Sequence, residues 1–315
     1  MAKLSPLASV TETRAVLEAH GLTTKYSLGQ NFLINDAILQ KIVTLADVRE
    51  TDAVLEVGPG IGTLTIALLK HAAYVVSVER DSDLPAVLAE TLAPWSDRFA
   101  LVEKDALDLG ANDVSDVVYR LLKKVAPSVA SPDVLPNKLV ANLPYAVAAT
   151  VVLDYFEHFA SLESATVMVQ KEVADRMAAQ PGTKNYGAYT VKLRLYAEPR
   201  GRFAVGPGNF FPPPRVESAV LRLDRRTPLD KQGCPLDIAT QRAAATMAEA
   251  AFANRRKTLL NSCKTYFAGK GNGGSQVVEI LPRLFEQAGI DSRRRGETLN
   301  LEEFIQLGKV FLANE

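Results

Sequence analysis

Short apolar runs alternate with amphipathic stretches along the first part of the chain. AVLEV (53–57), YVVSVE (74–79), FALVEKD (99–105) and KLVANLPY (138–145) are brief, rich in β-branched residues, and read as buried strands. Between them TLTIALLKH (63–71), DSDLPAVLAETL (81–92) and residues 113–126 space their apolar positions as helices do. Strand–helix alternation of this kind predicts a parallel sheet with helices on its faces, an α/β fold. Ahead of it, a helix is expected over 11–20, stopped at Gly21, then the loop KYSLGQNFL. A second helix, capped by Asn35 or Asp36, should run to about Asp47. ATVMVQKEVADRMAAQ gives a strand and a helix, and YGAYTVKLRLYAE a further amphipathic helix. RFAV and SAVLRL read as late strands flanking the Pro-rich turn FFPPPRV. The pattern breaks over Thr227–Pro235. Beyond it, 237–268 and 276–288 read as helical, joined by a flexible GKGNGGS, and LEEFIQLGKVFL as a closing helix. The expected organisation is a sheet domain over 1–228 and a small helical domain over 229–315.

Composition narrows the class. With 315 residues, 47% of them hydrophobic, the chain can bury a substantial core. No apolar run approaches the roughly 20 residues that cross a bilayer, and no signal-like apolar core follows Lys3. A cytoplasmic monomer with no membrane attachment is expected. Two cysteines (Cys234, Cys263) and three histidines lack metal-ligand spacing, so neither a metal nor a disulfide framework is expected. Net charge is zero, yet basic residues cluster. Residues 184–226 hold nine Lys/Arg against three Asp/Glu, and further groups are Arg255-Arg256-Lys257 and Arg293-Arg294-Arg295. Such clusters permit a nucleic-acid partner without identifying one.

The chemistry concentrates at strand ends. Gly58-x-Gly60-x-Gly62 follows the first strand directly and precedes a helix, a placement that brings bare backbone close to a ligand. A dinucleotide site wants G-x-G-x-x-G to seat a pyrophosphate. Here Glu56 precedes the turn, and its carboxylate suits the ammonium of a methionine moiety better, which favours S-adenosylmethionine over NAD. Glu79 ends the second strand, where it can accept from both hydroxyls of a ribose. Asp105 ends the third, where it can accept from an adenine amine or cap the turn DALDL.

Asn142-Leu143-Pro144-Tyr145 closes the fourth strand. An exocyclic adenine amine is a poor nucleophile because its lone pair is delocalised into the ring. The Asn142 side-chain oxygen and the Leu143 carbonyl, held extended by Pro144, can accept its two hydrogens and stabilise the charge that develops on methylation. Tyr145 offers a face for a flipped base.

These motifs resemble the ribosomal RNA adenine N6,N6-dimethyltransferase family, in its bacterial small-subunit branch. Gly29-Gln30-Asn31-Phe32-Leu33 resembles the N-terminal cofactor motif, Leu55–Gly62 the glycine motif, and Asn142–Tyr145 the catalytic motif. Phe210–Ser218 is similar to the late pattern F-x-P-x-P-x-V-x-S, and Phe252–Leu259 to a basic helix that follows it. The resemblance implies a Rossmann-like class I methyltransferase sheet with a small C-terminal helical domain. It implies that Asn31, Leu33, Gly58, Glu79, Asp105 and Asn142, with Glu56 and Gly60 beside them, bind S-adenosyl-L-methionine. Tyr145 and Phe210 are to sandwich the adenine, with Phe211 a competitor for that place. The implied substrate is a pair of adjacent adenosines in a 3′-terminal hairpin of 16S rRNA, within an immature small ribosomal subunit, each dimethylated. Arg215, Arg255, Arg256 and Lys257 are the candidate RNA contacts. The chain departs from the family in reading Ala146-Val147-Ala148 after the catalytic motif, and a surface insertion is expected within 110–136. The alternatives are a large-subunit methyltransferase of the antibiotic-resistance type, a ribosome-assembly checkpoint factor and a dehydrogenase.

Overall fold

The structure is a computed structural model that describes residues 3–25, 29–131 and 134–314. Tyr26–Leu28 of the loop before the first cofactor motif, and two residues of SPDVLP, lie outside them. Among the described residues the strands are β1 (Phe32–Leu33), β2 (Ala53–Val57), β3 (Tyr74–Glu79), β4 (Phe99–Glu103), β5 (Lys138–Asn142), β6 (Ser164–Gln170), β7 (Ala197–Val205), β8 (Phe210–Phe211) and β9 (Ser218–Arg225). The helices are α1 (Val10–Ala19), α2 (Asp36–Ala46), α3 (Thr63–Leu69), α4 (Leu84–Thr91), α5 (Ala111–Val125), α6 (Ala148–His158), α7 (Lys171–Met177) and α8 (Ala188–Arg194). Four more follow: α9 (Ile238–Phe252), α10 (Leu259–Ala268), α11 (Gly271–Ala288) and α12 (Leu301–Leu312).

The main sheet has the order β4-β3-β2-β5-β6-β9-β7. The pairs from β4 to β6 are parallel, and every residue of β2 and β3 is buried, as a sheet covered on both faces requires. β9 runs antiparallel to β6, so the expected parallel sheet holds for its central strands and gives way at one side. Local chemistry sets the helix starts. Ser9, Asn35, Asp237 and Asn300 each cap a helix by accepting a backbone N–H in the following turn. Asn35, not Asp36, is the cap of α2.

Two compact units form: residues up to Ala174 with Pro199–Arg225, and Asp175–Glu198 with the chain from Arg226 onward. The division differs from the one expected at 228/229. The segment carrying α8 belongs with the C-terminal helices because Tyr186 and Val191 are buried in their core, among Met247, Leu281, Phe285 and Phe304. Within that unit α9 packs against α8, α10 and α12. Gly308 makes the α9–α12 approach possible, since a Cβ there would stand 2.5 Å from the Ala244 nitrogen. The GKGNGGS segment, expected as a flexible connector, is mostly the first turn of α11. Residues 253–258, expected as helix, form the turn between α9 and α10. Part of the expected 110–136 insertion is α5, which packs on β4 and β3 through its buried face of Val114, Val118, Leu121 and Leu122.

At the amino ends of β2 and β5 a buried ion pair fixes the register of the site-bearing strands. Lys138 Nζ lies 2.9 Å from Asp52 Oδ2 and also donates to the carbonyls of Ala46 and Asp47. Asn137 donates to Asp52 at 2.9 Å and accepts from the Ala53 N–H at 2.9 Å. Burial works against the Asp52 carboxylate, but the hydrogen bonds from Lys138 and Asn137 outweigh it and hold its pKa below the usual range. Lys138→Met strands a buried carboxylate and two carbonyls, and the expected loss is about 3 kcal/mol in urea unfolding. Adding Asp52→Asn should recover part of it; an unchanged urea midpoint for Lys138→Met would contradict this role.

Candidate active site

Because β2 to β6 run parallel, their carboxyl ends lie along one edge of the sheet. A cavity of about 800 Å³ opens there. That is the size of a cofactor site, and the carboxyl edge is where open α/β sheets bind ligands. Gly58 and Gly60 line it from the end of β2, Glu79 and Asp105 from β3 and β4, Asn142–Tyr145 from β5, and Gln170 from β6.

The glycine turn is held by its backbone. Gly58, Gly60 and Gly62 adopt φ of +69°, +59° and +91°, and the Gly58 N–H donates to the Val78 carbonyl at 2.9 Å. A Cβ at Gly60 would meet the Phe32 ring at 3.0 Å, so β1 presses against bare backbone. Phe32 and Leu33 reach this position by pairing antiparallel with Phe211 and Phe210 of β8. Lys25 adds a tether, with Nζ 2.5 Å from Asp81 and 2.6 Å from Asp83, while Gln30 donates to Asp81 at 2.7 Å. The N-terminal motif, the glycine turn and the Pro-rich segment thus meet around one cavity.

The carboxylates differ in their commitments. Glu56 is 1% exposed, and its Oε2 accepts hydroxyl hydrogen bonds from Thr65 at 2.7 Å and Ser77 at 2.8 Å. Burial pushes its pKa up to about 7 against those two bonds. Glu79 Oε1 accepts the N–H groups of Arg80 and Asp81 at 2.9 and 2.8 Å, and burial raises its pKa too. Asp105 realises the capping role, accepting the Leu107 N–H at 3.0 Å, while its other oxygen pairs with Arg80 at 3.0 Å. It still borders the cavity.

In the catalytic motif, Asn142 Nδ2 donates to the Asn31 carbonyl at 3.2 Å, which commits the nitrogen end of the amide to the N-terminal motif. Asn31 itself donates to the Gly29 carbonyl at 2.9 Å. The Leu143 N–H continues the sheet to Met168, and the N–H groups of Val147 and Ala148 go to the Pro144 carbonyl, past that of Leu143. Val147 and Ala148 thus hold this turn through their N–H groups, while Ala146 and Val147 border the cavity. The Tyr145 hydroxyl lies 2.5 Å from Oγ of Ser218, a fully buried residue, and burial raises its pKa.

Phe210 is 2% exposed with its ring in the hydrophobic core, and the cavity wall beside it is formed by Pro212–Val216. Phe211 is half-buried against the same core beneath the Arg14 guanidinium at 4.9 Å, likewise outside the wall. Arg215 borders the cavity. Arg255, Arg256 and Lys257 belong to the second unit and sit on a turn, not a helix. Arg255 is committed there, 2.8 Å from Glu297 and 3.1 Å from the Thr183 carbonyl. Ser218 closes the late motif of the sequence but carries no role there, and no motif marks Thr63 or Gln170. Thr63 follows the third glycine, lines the cavity, and its buried hydroxyl has no partner among the described residues. Only its position directly after Gly62 could have signalled it.

Glu56 gives a pH test. Unfolded, its carboxyl titrates near 4.5, and folded near 7. Its contribution to stability is thus full below about 4.5 and is lost as pH rises through 7. The wild type should lose on the order of 3 kcal/mol between pH 5 and 8 relative to Glu56→Gln, read from urea unfolding. Parallel stability curves would contradict the assignment.

Similarity to known proteins agrees with this geometry. The family model described as Ribosomal RNA adenine dimethylase matches residues 21–307. Ribosomal RNA small subunit methyltransferase A of Enterococcus faecalis is 37% identical over 316 residues, covering 100% of this chain and 99% of the relative. The protein of the same name from Geobacillus kaustophilus is 38% identical over 301 residues, covering 96% and 95%. Among solved structures, a dimethyladenosine transferase from Plasmodium falciparum shares the fold with a TM-score of 0.67 at 22% identity, covering 88% of this chain and 95% of that one. The 23S rRNA methyltransferase ErmE does so with 0.61 at 23% identity, covering 89% and 99%. With nearly its whole length matched by one family model and by such relatives, the chain belongs to the ribosomal RNA adenine dimethylase family.

Proposed function

We propose that this chain transfers methyl groups from S-adenosyl-L-methionine to N6 of two adjacent adenosines in a 3′-terminal hairpin of 16S rRNA. It acts as a cytoplasmic monomer on the immature small ribosomal subunit. The observation that carries this reading is the meeting of the glycine turn, Glu79, Asp105 and Asn142–Tyr145 around one cavity. Relatives named for the small-subunit enzyme align over the full chain, which favours that target over large-subunit RNA.

The residues present fit the cofactor. Its ribose suits Glu79, its adenine the rim at Asp105, and its methionine end the bare backbone of Gly58 and Gly60 with Asn31, Leu33 and Glu56. The orphaned hydroxyl of Thr63 marks a polar group awaiting a partner in the same wall. When bound, S-adenosylmethionine supplies an electrophilic methyl group on a sulfonium.

The chain's own residues prepare the nucleophile. Asn142, tethered through Nδ2, presents Oδ1 to one N6 hydrogen, and the Leu143 carbonyl takes the other. Together they favour a pyramidal nitrogen whose lone pair is available, and they stabilise the positive charge it acquires. Tyr145, steadied by Ser218, supports the face of the base opposite the Pro212–Pro214 wall. The departing proton passes to water, so no general base is needed.

Incubating the protein with labelled cofactor and immature small subunits, then mapping modified bases, should show two adjacent dimethylated adenosines. Asn142→Ala should cut the rate by roughly a hundredfold or more. Modification confined to large-subunit RNA, or full activity of Asn142→Ala, would overturn the reading.

For RNA binding, all three cations of the turn are exposed, and Arg256 and Lys257 have no ion-pair partner among the described residues, whereas Arg255 is paired with Glu297. Replacing both by alanine should weaken RNA binding and lower the salt slope by about one unit per lost phosphate contact. Arg255→Ala should instead lower thermal stability, because Glu297 and the Thr183 carbonyl lose their partner. An unchanged salt slope for the Arg256/Lys257 double variant would remove these residues from the interface.

A further inference from the structure

The cavity wall contains a polar side chain with no task in the scheme above. Gln170 ends β6 and borders the cavity, and among the described residues its side-chain amide has no hydrogen-bond partner. A half-buried amide without such a partner keeps its two N–H donors free at the cavity wall, where a ligand can take them.

Strand register fixes where it stands. β6 pairs with β5 so that Met168 lies opposite Asn142, and with β9 so that Gln170 lies opposite Ser218. Residues two apart on a strand share a face, as do residues directly opposed on paired strands. Asn142, Gln170 and Ser218 therefore project from one face at one edge of the sheet. Ser218 Oγ is 2.5 Å from the Tyr145 hydroxyl, which brings the stacking ring to the same place.

The remaining groups limit what Gln170 can do. In the proposed reaction both N6 hydrogens are accepted by Asn142 Oδ1 and the Leu143 carbonyl. The Asn142 NH₂ is spent on Asn31, and the Tyr145 hydroxyl on Ser218. An adenine held there still presents acceptors at N1 and N7, the ring nitrogens flanking the amine. A neutral donor among these groups is Gln170.

We propose that Gln170 reads the target base, donating from its amide to N1 or N7 and so setting the preference for adenine. The inference rests on the adenine reading of the cavity. It gives the enzyme a specificity-determining contact separate from the groups that activate the amine.

The test uses the full chain on reconstituted small subunits whose target adenosine is replaced by 1-deazaadenosine or 7-deazaadenosine. The wild type should lose about tenfold in kcat/KM on one analogue and little on the other. Gln170→Ala should lose about tenfold on adenosine and show no further loss on the sensitive analogue. Gln170→Glu, which keeps the shape but cannot donate, should lose at least as much as Gln170→Ala. Affinity for S-adenosylhomocysteine, read by calorimetry, should be unchanged in both variants, which separates base reading from damage to the fold. Wild-type kcat/KM for Gln170→Ala, losses that simply add, or a matching fall in S-adenosylhomocysteine affinity would overturn the inference while leaving the adenine reading intact. Failure of the wild type to methylate adenosine in the particle would overturn both.

Discussion

Parallel pairing of the central strands is the constraint on which the site depends. Once β2, β3, β4, β5 and β6 run the same way, every residue that ends a strand is delivered to a common rim. The interiors of β2 and β3 are buried and mostly apolar, with Glu56 and Ser77 satisfying each other there, so the polar groups that can meet a ligand gather where the chain leaves the sheet. There they find unpaired backbone, a glycine turn that exposes it, and each other. The buried Lys138–Asp52 pair at the opposite end of β2 and β5 keeps those strands in register, and so fixes where Gly58 and Asn142 emerge.

A second device closes the rim. β1 and β8 are each two residues long, far too short to pair stably alone. They hold because Phe32, Leu33 and Phe210 are buried in the core beneath them. Packing therefore orders the N-terminal motif and the Pro-rich segment against the glycine turn, although about 180 residues separate them in the chain. The same packing buries Phe210 in the core and leaves the Pro212–Val216 turn as wall.

What could be read from sequence was local. The cap at Asn35, the strand ends at Glu79 and Asn142, and the Gly58–Gly62 turn depend on residues near one another, and the cavity gathers them where strand–helix alternation put them. What could not be read depended on partners distant in the chain. Alternation says that Phe210 and Phe211 face opposite ways, but only the pairing with Leu33 and Phe32 says which one enters the core. Gln170 is unremarkable, and Ser218 only the last residue of a motif, until β9 turns antiparallel against β6 and sets them opposite each other. Helix α6 gives no clear pattern, because AATVVLDYF mixes β-branched residues with helix formers. The glycines of α11 read as a linker, and chain order places α8 with the sheet because its packing partners lie far along the chain. Of the three exposed cations at 255–257, composition does not tell Arg256 and Lys257 from Arg255, which is bound to Glu297.

The central claim is that this rim is built for a sulfonium nucleoside and not for a dinucleotide. Calorimetric titration of the purified protein with S-adenosylmethionine and, separately, with NAD tests it most directly. The account requires saturable binding of S-adenosylmethionine, weakened about tenfold by Glu79→Ala as a charged hydrogen-bond acceptor is lost, and no measurable binding of NAD. Binding of NAD without binding of S-adenosylmethionine would contradict it.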